Sequence, residues 1–247
     1  VQMMNDQAKA LGMKQTSYMN PEGLTASGHI TSVRDLSILA TRLMRDFPDY
    51  VPYYAIKKYR YEGTPAANDN NRNLLLFRDA SVDGLKTGHT QAAGYCLVAS
   101  AKRDFPNVGA RRLLSVVLGA ESENARANES QKLLNWGYTA YEAVKLYDAG
   151  AAVVTPKVWK GAESAVKVGR PQGVIVAVPA GSGAQLKTEV VRNEPIVAPV
   201  AKGQVLGTLK VRSGEQIVAE VPLVALDAVE QAGVIGRTWD ALRLWIR

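Results

Sequence analysis

Three consecutive residues, Lys86-Thr87-Gly88, are of the types that together receive a carboxylate. The lysine ammonium attracts the anion over distance and the threonine hydroxyl is a directional donor. The glycine carries no side chain that would block a peptide laid along an extended segment. The stretch Val82 to Thr90 opens with the turn signal Asp83-Gly84. After the break Gln91-Ala92-Ala93-Gly94 it is followed by the apolar run Tyr95-Cys96-Leu97-Val98-Ala99-Ser100-Ala101. The pair predicts a β-hairpin, and the triplet on its first strand predicts a peptide-recognition site at a strand edge. His89 follows directly and either lines that site or acts as a general base. His29 lies far away in a polar loop, so the two histidines make no metal-ligand pattern, and neither metal nor cofactor is expected.

The elements that must carry this hairpin are legible on both sides. Met3, Met4, Ala8 and Leu11 recur at helical spacing over residues 2–12. Asn20 to Leu24 is a turn. Ser32 is placed to cap a helix, with Asp35 three residues on and Leu36, Leu39, Ala40 and Leu43 turned inward. Tyr50 to Tyr61 is rich in tyrosine and lysine, and Pro65 to Asn73, with four asparagines from Asn68 onward, reads as an exposed, turn-rich loop. Arg72 stands at its end. Arg111 to Gly119 is apolar enough to be a central strand, and Glu121 to Tyr141 reads as a helix with Ala127, Leu134, Gly137 and Tyr141 on one face. These elements predict an α+β fold around an antiparallel sheet.

Near Lys145 the composition shifts. Short apolar runs at 165–168, 174–178, 186–191, 205–211 and 216–224 alternate with glycine and proline breaks, and Ser213-Gly214-Glu215 reads as a hairpin turn. The expected organisation is residues 1–144 as one domain, 145–232 as a small all-β domain, and 233–247 as an amphipathic segment. In that segment Trp239, Leu242 and Ile246 form an apolar row and Arg243 and Arg247 a basic one. This suits a membrane interface, and equally a short helix docked on its own domain.

The chain has 247 residues, 47% of them hydrophobic, which is enough for a sizeable core. No run of 18 apolar residues and no signal-peptide pattern is present. The formal net charge of +7 suits an anionic partner such as nucleic acid, acidic lipid or a cell-wall polymer. Nucleic acid is not expected, since the basic residues are scattered and no recognition motif is found. Cys96 is the sole cysteine. An intrachain disulfide is thereby excluded, and either cytosol or periplasm is compatible.

Several stretches in order resemble one family. They are Leu11 to Thr16, Asn20 to Leu24, Arg34-Asp35, Asn71-Arg72-Asn73, Asp83 to Thr90, Gly94-Tyr95, Glu129-Ser130 and Lys132-Leu133-Leu134. The family is that of the low-molecular-mass penicillin-binding proteins that act as serine-type D-Ala-D-Ala carboxypeptidases. The resemblance implies an enzyme of peptidoglycan maturation in the periplasm, peripheral on the inner membrane. Its partners would be a stem peptide ending in D-Ala-D-Ala, β-lactam antibiotics and, through the C-terminal segment, a membrane surface. It also implies that Lys86, Thr87, Gly88 and His89 line the substrate site and that Arg126 helps Thr87 hold the substrate carboxylate. Arg72 either lies near the cleft or is an ordinary surface arginine.

Enzymes of this superfamily carry Ser-x-x-Lys, then Ser-x-Asn or Ser-Asp-Asn, then Lys-Thr-Gly. Only the third is credible here. Ser164-Ala165-Val166-Lys167 and Ser122-Glu123-Asn124 fit the first two patterns, but both follow Lys-Thr-Gly. The former would lie on a strand, where serine and lysine point to opposite faces. The latter suits a helix cap. The expectation is therefore the C-terminal part of a β-lactamase/transpeptidase-like domain, followed by the β domain. It would hold no catalytic residue and would need the N-terminal part of the same domain as its partner. The competing readings are a non-catalytic, membrane-associated peptidoglycan-binding module and a class A β-lactamase. The second conflicts with the long extension after Gly88.

Overall fold

A serine cap and a buried aspartate organise the first helices. In the computed structural model, which describes residues Val1 to Trp245, helix α1 spans Gln2–Ala10 and α2 spans Val33–Asp46. The Ser32 hydroxyl accepts the Asp35 N–H as the α2 cap. Asp35, only 2% exposed, accepts from the Gln15 N–H and the Thr16 hydroxyl, both at 2.7 Å. The segment after α1 is thus tied to the start of α2. Burial opposes ionisation of Asp35, but the hydrogen bonds from Thr16, Gln15, Lys14 and Ser32 outweigh it and hold the carboxyl below its ordinary pKa.

The tyrosine-rich stretch folds into a 3₁₀ turn at Pro48–Tyr50 and the short helix α3, Val51–Tyr54, and α4 covers Leu75–Arg78. Strands β1, Val82–Thr90, β2, Gly94–Phe105, and β3, Gly109–Ala120, form an antiparallel sheet in the order β1-β2-β3. The centre of the sheet is therefore β2, and β3, expected there from its apolar run, is an edge strand among the described residues. Leu97, Ala99 and Ala101, two apart on β2, are at most 1% exposed and pack with Leu75, Leu76 and the next helix. Val98, between them, joins the cluster of Ala40, Met44 and Leu85 with α2. Period-two alternation thus separates two apolar clusters.

Helix α5 spans Glu123–Ala140 and buries Arg126, Ala127, Ser130, Leu134 and Tyr138. Tyr141, expected on its inner face, begins a strand and is 38% exposed. Tyr138 takes the inner place, its hydroxyl donating to the carbonyls of Ala101 and Arg111 at 2.8 and 3.1 Å.

The chain divides between Thr139 and Ala140 into two units. The second is mostly β, with strands β4 (Tyr141–Tyr147), β5 (Ala152–Val154), β6 (Val158–Trp159), β7 (Val168–Gly169) and β8 (Val174–Pro179). It continues with β9 (Leu186–Arg192), β10 (Ile196–Val197), β11 (Val205–Ser213) and β12 (Gln216–Ala225). A five-stranded sheet runs β5-β7-β12-β11-β9, and β4-β8 and β10-β6 pair separately. Position 145, where the composition shifts, lies inside β4. Gly214-Glu215 closes the β11–β12 hairpin, with Ser213 opposite Gln216 and φ of +60° at Gly214. Leu209, Val211 and Leu223, all 0% exposed, centre the core. Helix α6, Val234–Trp245, follows, and Asp240 accepts the Lys160 N–H at 2.7 Å. Trp239 and Leu242 stay exposed. Ile246 and Arg247, the ends of the expected apolar and basic rows, lie outside the described residues.

Candidate functional site

A cavity of about 830 Å³ in the first unit collects all six residues singled out from the sequence: Arg72, Lys86, Thr87, Gly88, His89 and Arg126. Its floor is β1. Because β1 pairs only with β2 among the described strands, its outer edge is open for a further extended chain. Lys86, Gly88 and His89 are exposed and Thr87 is half-buried. The Lys86 ammonium folds back on the Thr87 carbonyl. A Cβ built on Gly88 would meet nothing closer than the Cys96 Cβ at 3.9 Å. The protein's own packing does not require glycine there, and the open space over it belongs to the cavity.

Arg126 is buried at 2% exposure. Nη1 donates to the Gly88 carbonyl and Nη2 to the Arg72 carbonyl, each at 3.1 Å, and Glu123 Oε1 lies 3.3 Å from Nη2. One guanidinium from α5 therefore fastens the end of the asparagine loop to the Lys-Thr-Gly strand. A planar fork with several fixed donors suits this task better than an ammonium would. The Arg126 guanidinium also stands 5.4 Å from the Tyr95 ring centroid, and Tyr95 stacks on His89 with centroids 4.0 Å apart. Tyr95 and His89 are directly opposed across the β1–β2 ladder, which brings their rings together.

The asparagine loop departs from the expected exposed, turn-rich segment at its end. Asn73 is 1% exposed; its Nδ2 donates to the Gly84 carbonyl at 3.1 Å and its Oδ1 accepts the Leu75 N–H. Asn71 donates to the carbonyls of Tyr54 and Ile56 and accepts the Asn73 N–H. The Asn73 amide satisfies buried backbone groups that would otherwise be unpaired. Arg72, held between them, points an exposed side chain to Asn68 while its carbonyl faces Arg126.

Sequence reasoning gave no site role to Tyr95, Asn73, Glu123 or Tyr54, although Asn73 and Tyr95 stand in stretches that carry the resemblance and Glu123 in a decoy motif. All but Asn73 line the cavity. Of the decoy serines, Ser122 caps α5 by accepting the Ala125 N–H at 3.0 Å. Ser164 is exposed in an irregular segment, not on the strand expected over 165–168. Of that run only Val168 lies in a strand, β7, while Ala165 makes an isolated bridge to Lys157, and Val166 and Val168 are each 2% exposed.

An antiparallel sheet flanked by helices, with a cation-bearing edge strand at an open cavity, is the architecture of a transpeptidase-like domain. Comparison with known proteins agrees. Residues 1–122 match the family model for D-alanyl-D-alanine carboxypeptidase, and residues 141–231 match that for the C-terminal domain of penicillin-binding protein 5. The D-alanyl-D-alanine carboxypeptidase DacC of Escherichia coli is 39% identical over 96% of this chain and 58% of its own length. Penicillin-binding protein 5 of Haemophilus influenzae is 33% identical at a TM-score of 0.75, covering 93% of this chain and 65% of that one. The D-alanyl-D-alanine carboxypeptidase DacD of Francisella tularensis is 31% identical at a TM-score of 0.59, covering 94% and 68%. The chain belongs to the D-alanyl-D-alanine carboxypeptidase family of low-molecular-mass penicillin-binding proteins. It spans about three fifths of the length of the relatives it matches.

Proposed function

We propose that the natural protein carrying this chain is a serine-type D-Ala-D-Ala carboxypeptidase of peptidoglycan maturation. In this reading it removes the terminal D-alanine of stem peptides through an acyl-enzyme, and penicillins acylate the same serine. The observation that carries the proposal is the convergence of Lys86, Thr87, Gly88, His89, Arg72 and Arg126 on one cavity above an open strand edge. Lys86 and Thr87 receive the substrate carboxylate. Gly88 gives the peptide room. Arg126 acts from below, both as a positive charge and by fixing the Gly88 carbonyl. His89, stacked on Tyr95, forms a wall of the site.

The nucleophile and its activating lysine come from residues outside these 247, and this chain alone supplies only substrate binding. Residues 1–144 act as part of the transpeptidase-like domain and 145–232 as a β domain. Residues 233–247 rest on the periplasmic face of the inner membrane. No described helix is long and apolar enough to cross a membrane, and the exposed Trp239 and Leu242 beside Arg243 suit a surface contact.

Intact mass before and after incubation with a labelled penicillin tests the core of the proposal. The full natural protein should gain one adduct and the 247-residue chain none. An adduct on the chain itself would refute the assignment of the nucleophile, and failure of the full protein to be acylated would refute the enzyme reading.

A further inference from the structure

Arg126 needs a counter-charge, because an unpaired guanidinium in a buried site is strongly disfavoured. Its acidic partner among the described ion pairs is Glu123, three residues earlier on the first turn of α5. The two side chains differ sharply in exposure, 2% for Arg126 and 49% for Glu123. At 3.3 Å the contact is also longer than the 3.1 Å bonds that Arg126 gives to two neutral carbonyls. It is longer still than the roughly 2.7–2.9 Å of a well-formed charge-assisted bond. The guanidinium is thus held by fixed backbone bonds and neutralised by a loose carboxylate that faces water from the lining of the cavity.

We propose that Glu123 is a place-holding counter-ion that competes with the ligand carboxylate for Arg126, and so sets the affinity of the site for anionic peptides. The inference rests on the carboxylate-binding role proposed above. A ligand carboxylate arriving at Lys86 and Thr87 puts two anions beside one guanidinium. Glu123, half-exposed on a terminal helical turn, then swings outward and gives up its pair, so part of the attraction gained by the ligand is offset. Glu22, the other carboxylate in the lining, is in the loop preceding α2 and is not paired with Arg126. Glu123→Gln retains the size and the acceptor oxygen that reaches Arg126 but removes the competing charge.

The test uses the full natural protein and two small probes, N-acetyl-D-alanine and its uncharged amide, with dissociation constants read by calorimetry. Glu123→Gln should bind the acid about three- to tenfold more tightly at low ionic strength, from the removal of one nearby like charge. The gain should shrink towards unity at about 0.5 M salt, and the amide should bind both proteins equally. A merely structural role would move acid and amide together and would not respond to salt. Glu123→Ser, checked with Glu123→Gln by thermal unfolding, should reproduce the gain if charge, and not the glutamine side chain, is responsible. Equal or weaker binding of the acid by Glu123→Gln, with wild type binding normally, would overturn this inference and leave the proposed function standing. Failure of both proteins to bind the acid would overturn the carboxylate site itself, and this inference with it.

Discussion

Replacing Arg126 by alanine should loosen the junction between the asparagine loop and β1 before it alters anything else. The substitution removes the donors to the Gly88 and Arg72 carbonyls and the cation facing Tyr95. A buried acceptor left without its donor costs about 1–3 kcal/mol, and a lost cation–π contact about 0.5–1 kcal/mol. Both bonds are part-buried rather than fully enclosed, so the lower part of the first range applies to each carbonyl. The expected loss is about 2–4 kcal/mol, large beside a domain stability of roughly 5–15 kcal/mol. Denaturant unfolding of the full natural protein measures the total, and hydrogen exchange locates it, with faster exchange expected in residues 71–76 and 84–90. Arg126→Lys keeps the charge but cannot grip two carbonyls as a rigid fork, and should recover only part of the loss. In turnover, Arg126→Ala should raise KM for the peptide more than it slows acylation by penicillin. A variant within about 0.5 kcal/mol of wild type with unchanged exchange in β1 would refute the positional argument. Equal losses for peptide and penicillin would refute the carboxylate role.

Two glycines should separate binding from folding. Gly88→Ala meets no close atom and should leave stability within about 0.5 kcal/mol of wild type while raising KM several-fold, read by unfolding and kinetics side by side. Gly94→Ala is the contrary case. With φ of +66° and an added Cβ only 3.0 Å from the Ala120 carbonyl and the Gly119 Cα, it should cost about 1–3 kcal/mol, seen as a lowered unfolding midpoint. Acid should unfold the first unit through Asp35 and Asp79. At Asp79 burial opposes ionisation, but Ser81 and Arg103 outweigh it, so its pKa, like that of Asp35, is lowered. Each contribution is therefore complete above the ordinary aspartate value of about 3.9 and is lost as pH falls through the depressed one. Asp79→Asn should be less stable than wild type at pH 7, and the gap should close towards about pH 2 in a series of urea melts.

How far the sequence reveals such a site depends on whether a residue's role is local. The β1–β2 hairpin was legible because its signal, apolar runs around a short break, acts within some twenty residues; Asp83-Gly84, read as a turn, instead lies inside β1 beside a register shift. The Ser32 cap was legible for the same reason, its partner being three residues away. Lys86, Thr87 and Gly88 were legible as chemistry, since charge, hydroxyl and absence of a side chain are properties of type. Strand order was not: β3 has the apolar composition of a central strand, yet among the described residues it pairs with β2 alone, and composition does not say which strands are neighbours. Two-residue strands such as β6 and β10 are too short to display any period. Asn73 looked like one more polar loop residue, and only the folded chain brings its amide to Gly84, eleven residues on. Arg126 makes the point most sharply. Its bonds to Gly88 and Arg72 span 38 and 54 residues of sequence, so no local pattern could distinguish it from the solvated arginines of other helices. Resemblance to a family supplied its importance, and the fold supplies the reason. One buried guanidinium closes the contact between the loop and the strand that together shape the cavity.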